Sequence, residues 1–257
     1  MIYLDKKKRK SVSAFFSDYK WNYLPEAILD GFVGEVLVDD ESNPSFAVLE
    51  IPKLNFFIPA GNANHPAARD FITNLPEYSA MIFTSDGWED LLKEIHTNKL
   101  RGIQRYAFTS EKLDAEHLSK LTSLIPSGFG LKRLDLELTH QLAAEKSEFT
   151  SDHLLNFDSP EDFIARGFGF CILNGDEITS MATTFVICNT GIEIQINTRP
   201  KYQQKGLATV VAAQLLLHSL QKDLDPNWDA ANQRSARLAK KLGYTPQGTY
   251  NMWFLTG

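Results

Sequence analysis

Between Gln203 and Val211 the chain reads QQKGLATVV, a glutamine, two small residues and a threonine directly ahead of a long apolar run. A helix would gain from larger side chains at Gly206 and Ala208, since a glycine alone costs about 1 kcal/mol against alanine. What the pattern offers instead is an uncovered backbone. The first N–H groups of a helix have no intrahelical acceptor, and the helix dipole adds about half a positive charge there. A loop with little side-chain bulk at that point can take a phosphate against its amides. Thr209 adds a hydroxyl donor one residue into the turn. A glycine easing a tight strand-to-helix turn would give the same spacing, so the elements around the loop decide between the two.

Those elements are legible. A strand over Ile192 to Thr198 and a Pro200-x-Tyr202 corner precede the loop, and a helix from Gly206 to about Lys222 follows it. That helix is apolar nearly all round and must be buried on more than one side. The chain then returns through a short strand near Trp228 to Ala230 into a second helix, Gln233 to Lys241, capped by Asn232 and stopped at Gly243. Upstream, strands over Phe168 to Leu173, Ile178 to Cys188 and Ile192 to Thr198 are joined by Asn174-Gly175-Asp176 and Asn189-Thr190-Gly191. Such short connections imply antiparallel neighbours. A two-residue turn at Asn174-Gly175 would set Cys171 opposite Ile178 and leave Cys188 beyond pairing reach, so both cysteines are expected as free thiols. Before these strands, Leu134, Leu136 and Leu138 suggest a short strand, and Ser159-Pro160-Glu161-Asp162 opens a helical turn. The tail YTPQGTYNMWFL suggests a pair of short aromatic strands.

From roughly Leu131 to Leu255 the sequence resembles the GCN5-related N-acetyltransferase (GNAT) superfamily. Gln203-Gln204-Lys205-Gly206-Leu207-Ala208 matches that family's Arg/Gln-x-x-Gly-x-Gly/Ala segment, and Asn232 through Lys241-Leu242-Gly243-Tyr244 matches its second signature. The resemblance implies an α+β class, a mixed α/β sheet with the acyl-CoA N-acyltransferase fold, and acetyl coenzyme A as cosubstrate. It further implies that the backbone from Gln204 to Thr209 holds the pyrophosphate and that Ile196, Asn197 and Thr198 pair with the pantetheine arm. Asn232 would hydrogen-bond that arm. The implied activity is direct transfer of an acetyl group to an amine, with catalysis resting on positioning, carbonyl polarisation and proton removal. Glu193, on the strand the family uses to flank the acyl group, is the candidate base; a glutamate on a half-exposed strand face is the plain alternative. The family's thiolate-protonating tyrosine has no counterpart: Ala239 occupies its place, with Tyr244 and Tyr250 nearby in sequence. A non-catalytic acyl-CoA-binding or regulatory module is therefore the second expectation.

The 257 residues allow one large domain or two modest ones, and the weakly marked break near Pro126-Ser127-Gly128 suggests 1–128 and 129–257. The first half alternates strands (Phe32 to Val38, Phe46 to Ile51, a strand into Gly61, Met81 to Thr84, Ile103 to Phe108) with helices entered at Pro66 and capped by Asp86, and a helix carrying Leu113 to Leu124 closes it. It carries no chemical motif. Its order of strands, loop and helix resembles the second half, so it is expected to be either a degenerate GNAT-like copy, with Gly61-Asn62-Ala63-Asn64 in place of the phosphate loop and no coenzyme, or an unrelated α/β domain shaping the acceptor pocket.

Composition narrows the rest. With 43% hydrophobic and 23% charged residues and a net charge of -6, the chain is globular, and nucleic acid is not an expected partner. The dense basic run Lys6-Lys7-Lys8-Arg9-Lys10 fits a solvated, poorly ordered end. No apolar stretch is long enough to span a bilayer and Met1 to Lys10 has no apolar segment resembling a signal peptide, so a cytoplasmic location is the default expectation. The six histidines are scattered without metal-ligand spacing, so no metal is expected. The acceptor amine and the oligomeric state leave no mark in the residues.

Overall fold

In the computed structural model, which describes residues 1–145 and 147–257, the chain forms two units: Met1–Arg105 with Thr249–Gly257, and Tyr106–Gly248. The first opens with β1 (Ile2–Tyr3) and a 3-10 helix over Lys6–Phe16, where a loose basic end was the sequence expectation. Charge pairing orders it. Arg9 is only 1% exposed; it donates to the carbonyls of Gly34 (2.9 Å) and Ile28 (3.3 Å) and pairs with Glu35. Lys8 meets Glu41 at 2.7 Å and Lys10 meets Asp30 at 2.6 Å, so Lys8, Arg9 and Lys10 of the run are paired with the chain's own carboxylates.

After α1 (Leu24–Leu29), strands β2 (Glu35–Val38), β3 (Phe46–Ile51) and β4 (Phe56–Gly61) form an antiparallel meander, with Leu37 opposite Val48 and Val48 opposite Pro59. Helix α2 (Pro66–Thr73) crosses over to β5 (Ala80–Met81), which is parallel to β4 and shorter than the expected run to Thr84. Next come α3 (Trp88–His96) and β6 (Leu100–Thr109). The cap of α3 is Gly87 in the left-handed region (φ 88°), not Asp86. Phe46, Val48, Ile72, Met81, Trp88 and Leu92 build this unit's core.

At the start of α2 the chain satisfies its own donors. The amide of Gly61 donates to Ser85 Oγ (3.2 Å), Asn62 to the Ser45 carbonyl (3.0 Å), Asn64 to Asn62 Oδ1 (3.0 Å) and Ala67 to His65 Nδ1 (3.3 Å). A Cβ at Gly61 would come within 2.8 Å of Ser45 O and 2.9 Å of the Phe15 ring, so the loop is packed full.

The second unit begins with the end of β6 and α4 (Ala115–Thr122), followed by β7 (Gly130–Arg133), α5 (Leu136–Glu145) and α6 (Pro160–Arg166). The unit boundary thus falls at 105/106 instead of 128/129, because α4 packs its Leu118 and Leu121 against the helix that follows the glycine loop. The expected strand through Leu134, Leu136 and Leu138 is a helix from Leu136 onward: Asp135 Oδ1 accepts from the Leu138 amide at 2.9 Å and nucleates it. Ser159 caps α6 as expected.

Strands β8 (Gly169–Asn174), β9 (Glu177–Ile187) and β10 (Gly191–Thr198) are antiparallel. The turn is Gly175-Asp176, and the register shifts between Ile172 and Leu173, so Cys171 faces Met181 and not Ile178. Both cysteines are buried and neither is in a disulfide, and burial pushes the Cys171 thiol up to about 12. Helix α7 (Leu207–Leu220) crosses to β11 (Asp225–Ala230), parallel to β10, and α8 (Gln233–Leu242) leads to β12 (Thr245–Leu255), one long strand where two were expected. Two apolar clusters account for the composition of α7: Leu207, Val210, Val211 and Leu215 face Phe170, Ile172 and Ile192, while Ala212, Ala213 and Leu216 face α4 and α8. Within their units, Tyr106 to Phe108 of β6 pair with β11, and Trp253 and Phe254 of β12 pair with β5.

His153 gives this unit a pH dependence. It is wholly buried, with Nδ1 2.7 Å from Thr183 Oγ1 and Nε2 without a partner among the described residues; burial pushes its pKa down to about 3. The unfolded chain, with an ordinary histidine near 6.5, binds the proton first on acidification, so stability is full above pH 6.5 and is lost as the pH falls toward 3. The slope approaches about 1.4 kcal/mol per pH unit. Between pH 7 and pH 4.5 the wild type should lose about 2–3 kcal/mol more than His153→Gln in urea titrations; equal losses would remove His153 from the account.

Candidate functional site

The loop between β10 and α7 turns twice through the left-handed region, at Gln204 (φ 63°) and Gly206 (φ 82°). At Gly206 this conformation calls for glycine. A Cβ built there meets nothing within 4 Å, in contrast to the packed Gly61, so the space in front of the loop is open. No side chain caps α7. The amides of Leu207 and Ala208, its first two residues, have no intrahelical acceptor by position. Thr209 differs from the expectation: its N–H already donates to the Gly206 carbonyl at 3.0 Å, so the backbone donors run from Gln204 to Ala208 and Thr209 keeps only its hydroxyl for a ligand.

The open space belongs to a cleft of about 560 Å³. It exists because β10 and β11 pair only from Gly191 opposite Asp225 to Glu193 opposite Asn227; beyond that, Trp228 to Ala230 of β11 pair with β6 instead. Ile196, Asn197 and Thr198 of β10 form one wall and Trp228 another, with Gln203, Gln204, Gly206, Leu207, Ala208 and Thr209 at the loop end and Asn232 on α8. Lys205 is not in the lining; its Nζ lies 5.2 Å from the Tyr202 ring centre. Every other expected binding residue is. A diphosphate fits this cradle, which combines an uncapped helix start, left-handed backbone and no obstructing side chain.

The walls are cross-tied. Asn232 Oδ1 accepts from the Ser235 amide at 3.0 Å, capping α8 and leaving Nδ2 as its ligand donor, and Trp228 Nε1 donates to Ser235 Oγ at 3.1 Å. Gln203 Nε2 donates to the Thr198 carbonyl at 3.2 Å, while its Oε1 accepts from Arg234 Nη1 at 2.9 Å. Asn197 Nδ2 donates to the Phe149 carbonyl at 3.2 Å, bringing Glu148 and Phe149 to the rim. Trp228, Arg234, Ser235, Leu238, Glu148 and Phe149 are lining residues that sequence patterns did not single out for the site. The position of Arg234 and Ser235 in the first turn after Asn232 was a usable signal; for Glu148 and Phe149 there was none.

Glu193 sits at the last paired position of β10 and β11, beside a register shift between Glu193 and Ile194 against β9. It is 6% exposed, and Asn227 Nδ2 donates to its two carboxylate oxygens at 3.0 and 3.2 Å. It marks where the strands part and is not in the lining of the cleft. Ala239 is buried among Ala213, Leu216 and Leu242. Tyr244 is buried with its hydroxyl donating to the Pro226 carbonyl at 2.6 Å, and burial pushes its phenol well above 10. Tyr250 stacks on Trp21 with ring centres 5.0 Å apart. Neither tyrosine is in the lining of the cleft. Among the described residues no group of three His, Cys, Asp or Glu could hold a metal ion, and no helix is long and apolar enough to cross a membrane.

Comparison with known proteins agrees with this geometry. A family model described as GNAT acetyltransferase matches residues 13–253. An uncharacterized N-acetyltransferase, YdfB, of Bacillus subtilis is 29% identical over 261 residues, covering 98% of this chain and 97% of that protein. The crystal structure of a GCN5-related N-acetyltransferase-like protein from Streptococcus suis superposes with a TM-score of 0.86 at 29% identity, covering 97% of this chain and 98% of that one. A tandem GNAT protein from the clavulanic acid biosynthesis pathway shares the fold at 9% identity, with a TM-score of 0.62 over 98% of this chain and 97% of that one.

Proposed function

The chain belongs to the GNAT acetyltransferase family, and on that premise we propose that it is an acetyl-coenzyme-A-dependent N-acetyltransferase acting on an amine by direct attack in a ternary complex. The observation that carries this reading is the uncapped, left-handed loop at Gly206 opening onto the cleft between β10 and β11. Acetyl coenzyme A supplies the acetyl group as an activated thioester. The chain's own groups do the rest. Backbone donors from Gln204 to Ala208 and the Thr209 hydroxyl bind the pyrophosphate, Ile196 to Thr198 and Asn232 orient the arm, and β10 amides near the register shift polarise the carbonyl. Glu193 is the base: an ammonium is not nucleophilic, and a carboxylate at the end of the paired segment, outside the lining of the cleft, takes the proton through a water. Asn227 fixes its orientation by donating to both oxygens.

The first unit supports a second part of the proposal. In each unit an antiparallel three-strand meander is followed by a crossover helix and a parallel strand: β2 to β5 through α2, and β8 to β11 through α7. We infer a degenerate second copy of the fold, whose loop at Gly61 has its donors engaged by Ser45, Ser85 and His65 and therefore binds no coenzyme.

A non-catalytic acyl-coenzyme-A-binding module is the second reading, favoured by the burial of Ala239 and Tyr244 away from the cleft. Turnover separates the two. Thiol release from acetyl coenzyme A, followed with a panel of small amines, amino acids, peptide amino-termini and aminoglycosides, should rise above the hydrolytic background with at least one acceptor class. Tight coenzyme binding with no release across the panel would favour the binding module.

A further inference from the structure

The segment between α5 and α6, residues 147–159, has no regular helix or strand, yet side chains fix it to the sheet. Its start, Glu148 and Phe149, lines the cleft, and the Phe149 carbonyl accepts from Asn197. Further along, His153 reaches Thr183, and Asn156 Nδ2 donates to the Phe185 carbonyl at 3.1 Å. Strand alternation tells which face is covered. Ile192, Ile194 and Ile196 of β10 and Ala182 of β9 pack with α7, so Glu193, Gln195 and Thr183 point the other way, as does Met181, which packs with α5 and α6. Thr183 stands opposite Gln195, and Phe185 is the extra residue at the register shift beside Glu193. The segment therefore covers the face of the sheet from which Glu193 projects.

Two polar atoms in this segment are unspent. His153 is wholly buried and Asn156 is 8% exposed, and among the described residues neither His153 Nε2 nor Asn156 Oδ1 has a hydrogen-bond partner. A buried polar atom without a partner costs free energy that a matching group on a ligand recovers. Both side chains are uncharged, since burial holds the imidazole neutral. Their anchors lie two residues apart on β9, roughly 7 Å along the strand, within the span of one small polar group.

We propose that His153 and Asn156 are specificity-determining residues that select an acceptor amine carrying a neutral polar group, a hydroxyl or a carboxamide, next to the reacting nitrogen. The inference rests on Glu193 as the base and names the acceptor class that this face of the sheet fits. Such a group donates to Asn156 Oδ1, whose amide nitrogen is committed to Phe185. It accepts from His153 Nε2 in the tautomer whose Nδ1 accepts from the Thr183 hydroxyl. A carboxylate there would face the Asn156 oxygen, and an alkyl group would leave both atoms unpaired. Both atoms are closed off from solvent in the free chain, so the segment shifts to admit the group.

The test is thiol release from acetyl coenzyme A with primary amines matched in shape: 2-aminoethanol against propylamine, and glycinamide against isobutylamine. Comparing kcat/KM for the unprotonated amine removes differences in the fraction protonated. The wild type should prefer the polar member of each pair by about 10-fold. Asn156→Leu and His153→Phe, which are close in size to the residues they replace, should bring both ratios near one with coenzyme affinity unchanged. The ratio is the readout, because a purely structural role would slow all four amines alike. Wild-type ratios at or below one overturn the inference without recourse to the variants, so a variant that fails to fold does not decide it. A wild-type preference kept in both variants also overturns it, by placing the polar group against other residues. Release with none of the four amines, from a protein that binds acetyl coenzyme A and acetylates another acceptor, overturns the acceptor class and leaves the transferase reading intact. Absence of coenzyme binding overturns both.

Discussion

Gly206→Glu is expected to lower acetyl coenzyme A affinity by more than 100-fold while the protein stays folded. Two effects act together. The backbone at Gly206 has φ 82°, a conformation that costs a side-chain-bearing residue about 1–2 kcal/mol. The carboxylate would then stand where the loop amides and the α7 dipole otherwise face a diphosphate, so attraction becomes repulsion. Folding should survive because a Cβ at this position meets nothing within 4 Å. Gly206→Ala separates the effects, carrying the strain without the charge, and should weaken binding by less than 10-fold. Affinity of Gly206→Glu within 10-fold of wild type would place the diphosphate somewhere else.

Glu193→Gln is expected to reduce turnover by about 10²–10⁴-fold with coenzyme affinity unchanged, the range for removal of a general base. The substitution keeps the shape, and its carbonyl oxygen still accepts one bond from Asn227. Its NH₂ then faces the Asn227 NH₂, which costs some stability and makes a melting curve a necessary companion. Asn227→Ala leaves the carboxylate present but no longer held by that amide, and should lower turnover by less than Glu193→Gln does. Thiol-release rates across pH in the three proteins decide the point. The acid limb of the wild-type profile should move to higher pH in Glu193→Gln, toward the range where the acceptor amine loses its own proton; superimposable profiles and rates would move the proton to another acceptor.

Much of the second unit could be anticipated from the sequence because its elements announce themselves by period and punctuation. The strands β8 to β10, the apolar α7 and the Asn232 and Gly243 ends of α8 lie within two residues of where patterning puts them. The loop at Gly206 was legible because small residues at a helix start have little else to recommend them. What was missed depended on long-range contacts. The three leucines at 134, 136 and 138 alternate like a strand, yet Asp135 starts a helix there that packs Leu138 and Leu142 against Phe163 and Met181. The basic run near the amino end looked solvated because its partners, Glu35, Glu41 and Asp30, are 20 to 33 residues away. Residue types alone also do not tell where β10 and β11 part, and so did not distinguish a Glu193 in the cleft wall from one at the end of the pairing.

The central claim, that the cleft between β10 and β11 holds acetyl coenzyme A, is tested most directly by titrating that compound into the wild-type protein in a calorimeter. The account predicts saturable one-to-one binding at micromolar concentration, competed by free coenzyme A. No heat at millimolar ligand would contradict it and leave the chain with the family's fold but without its coenzyme.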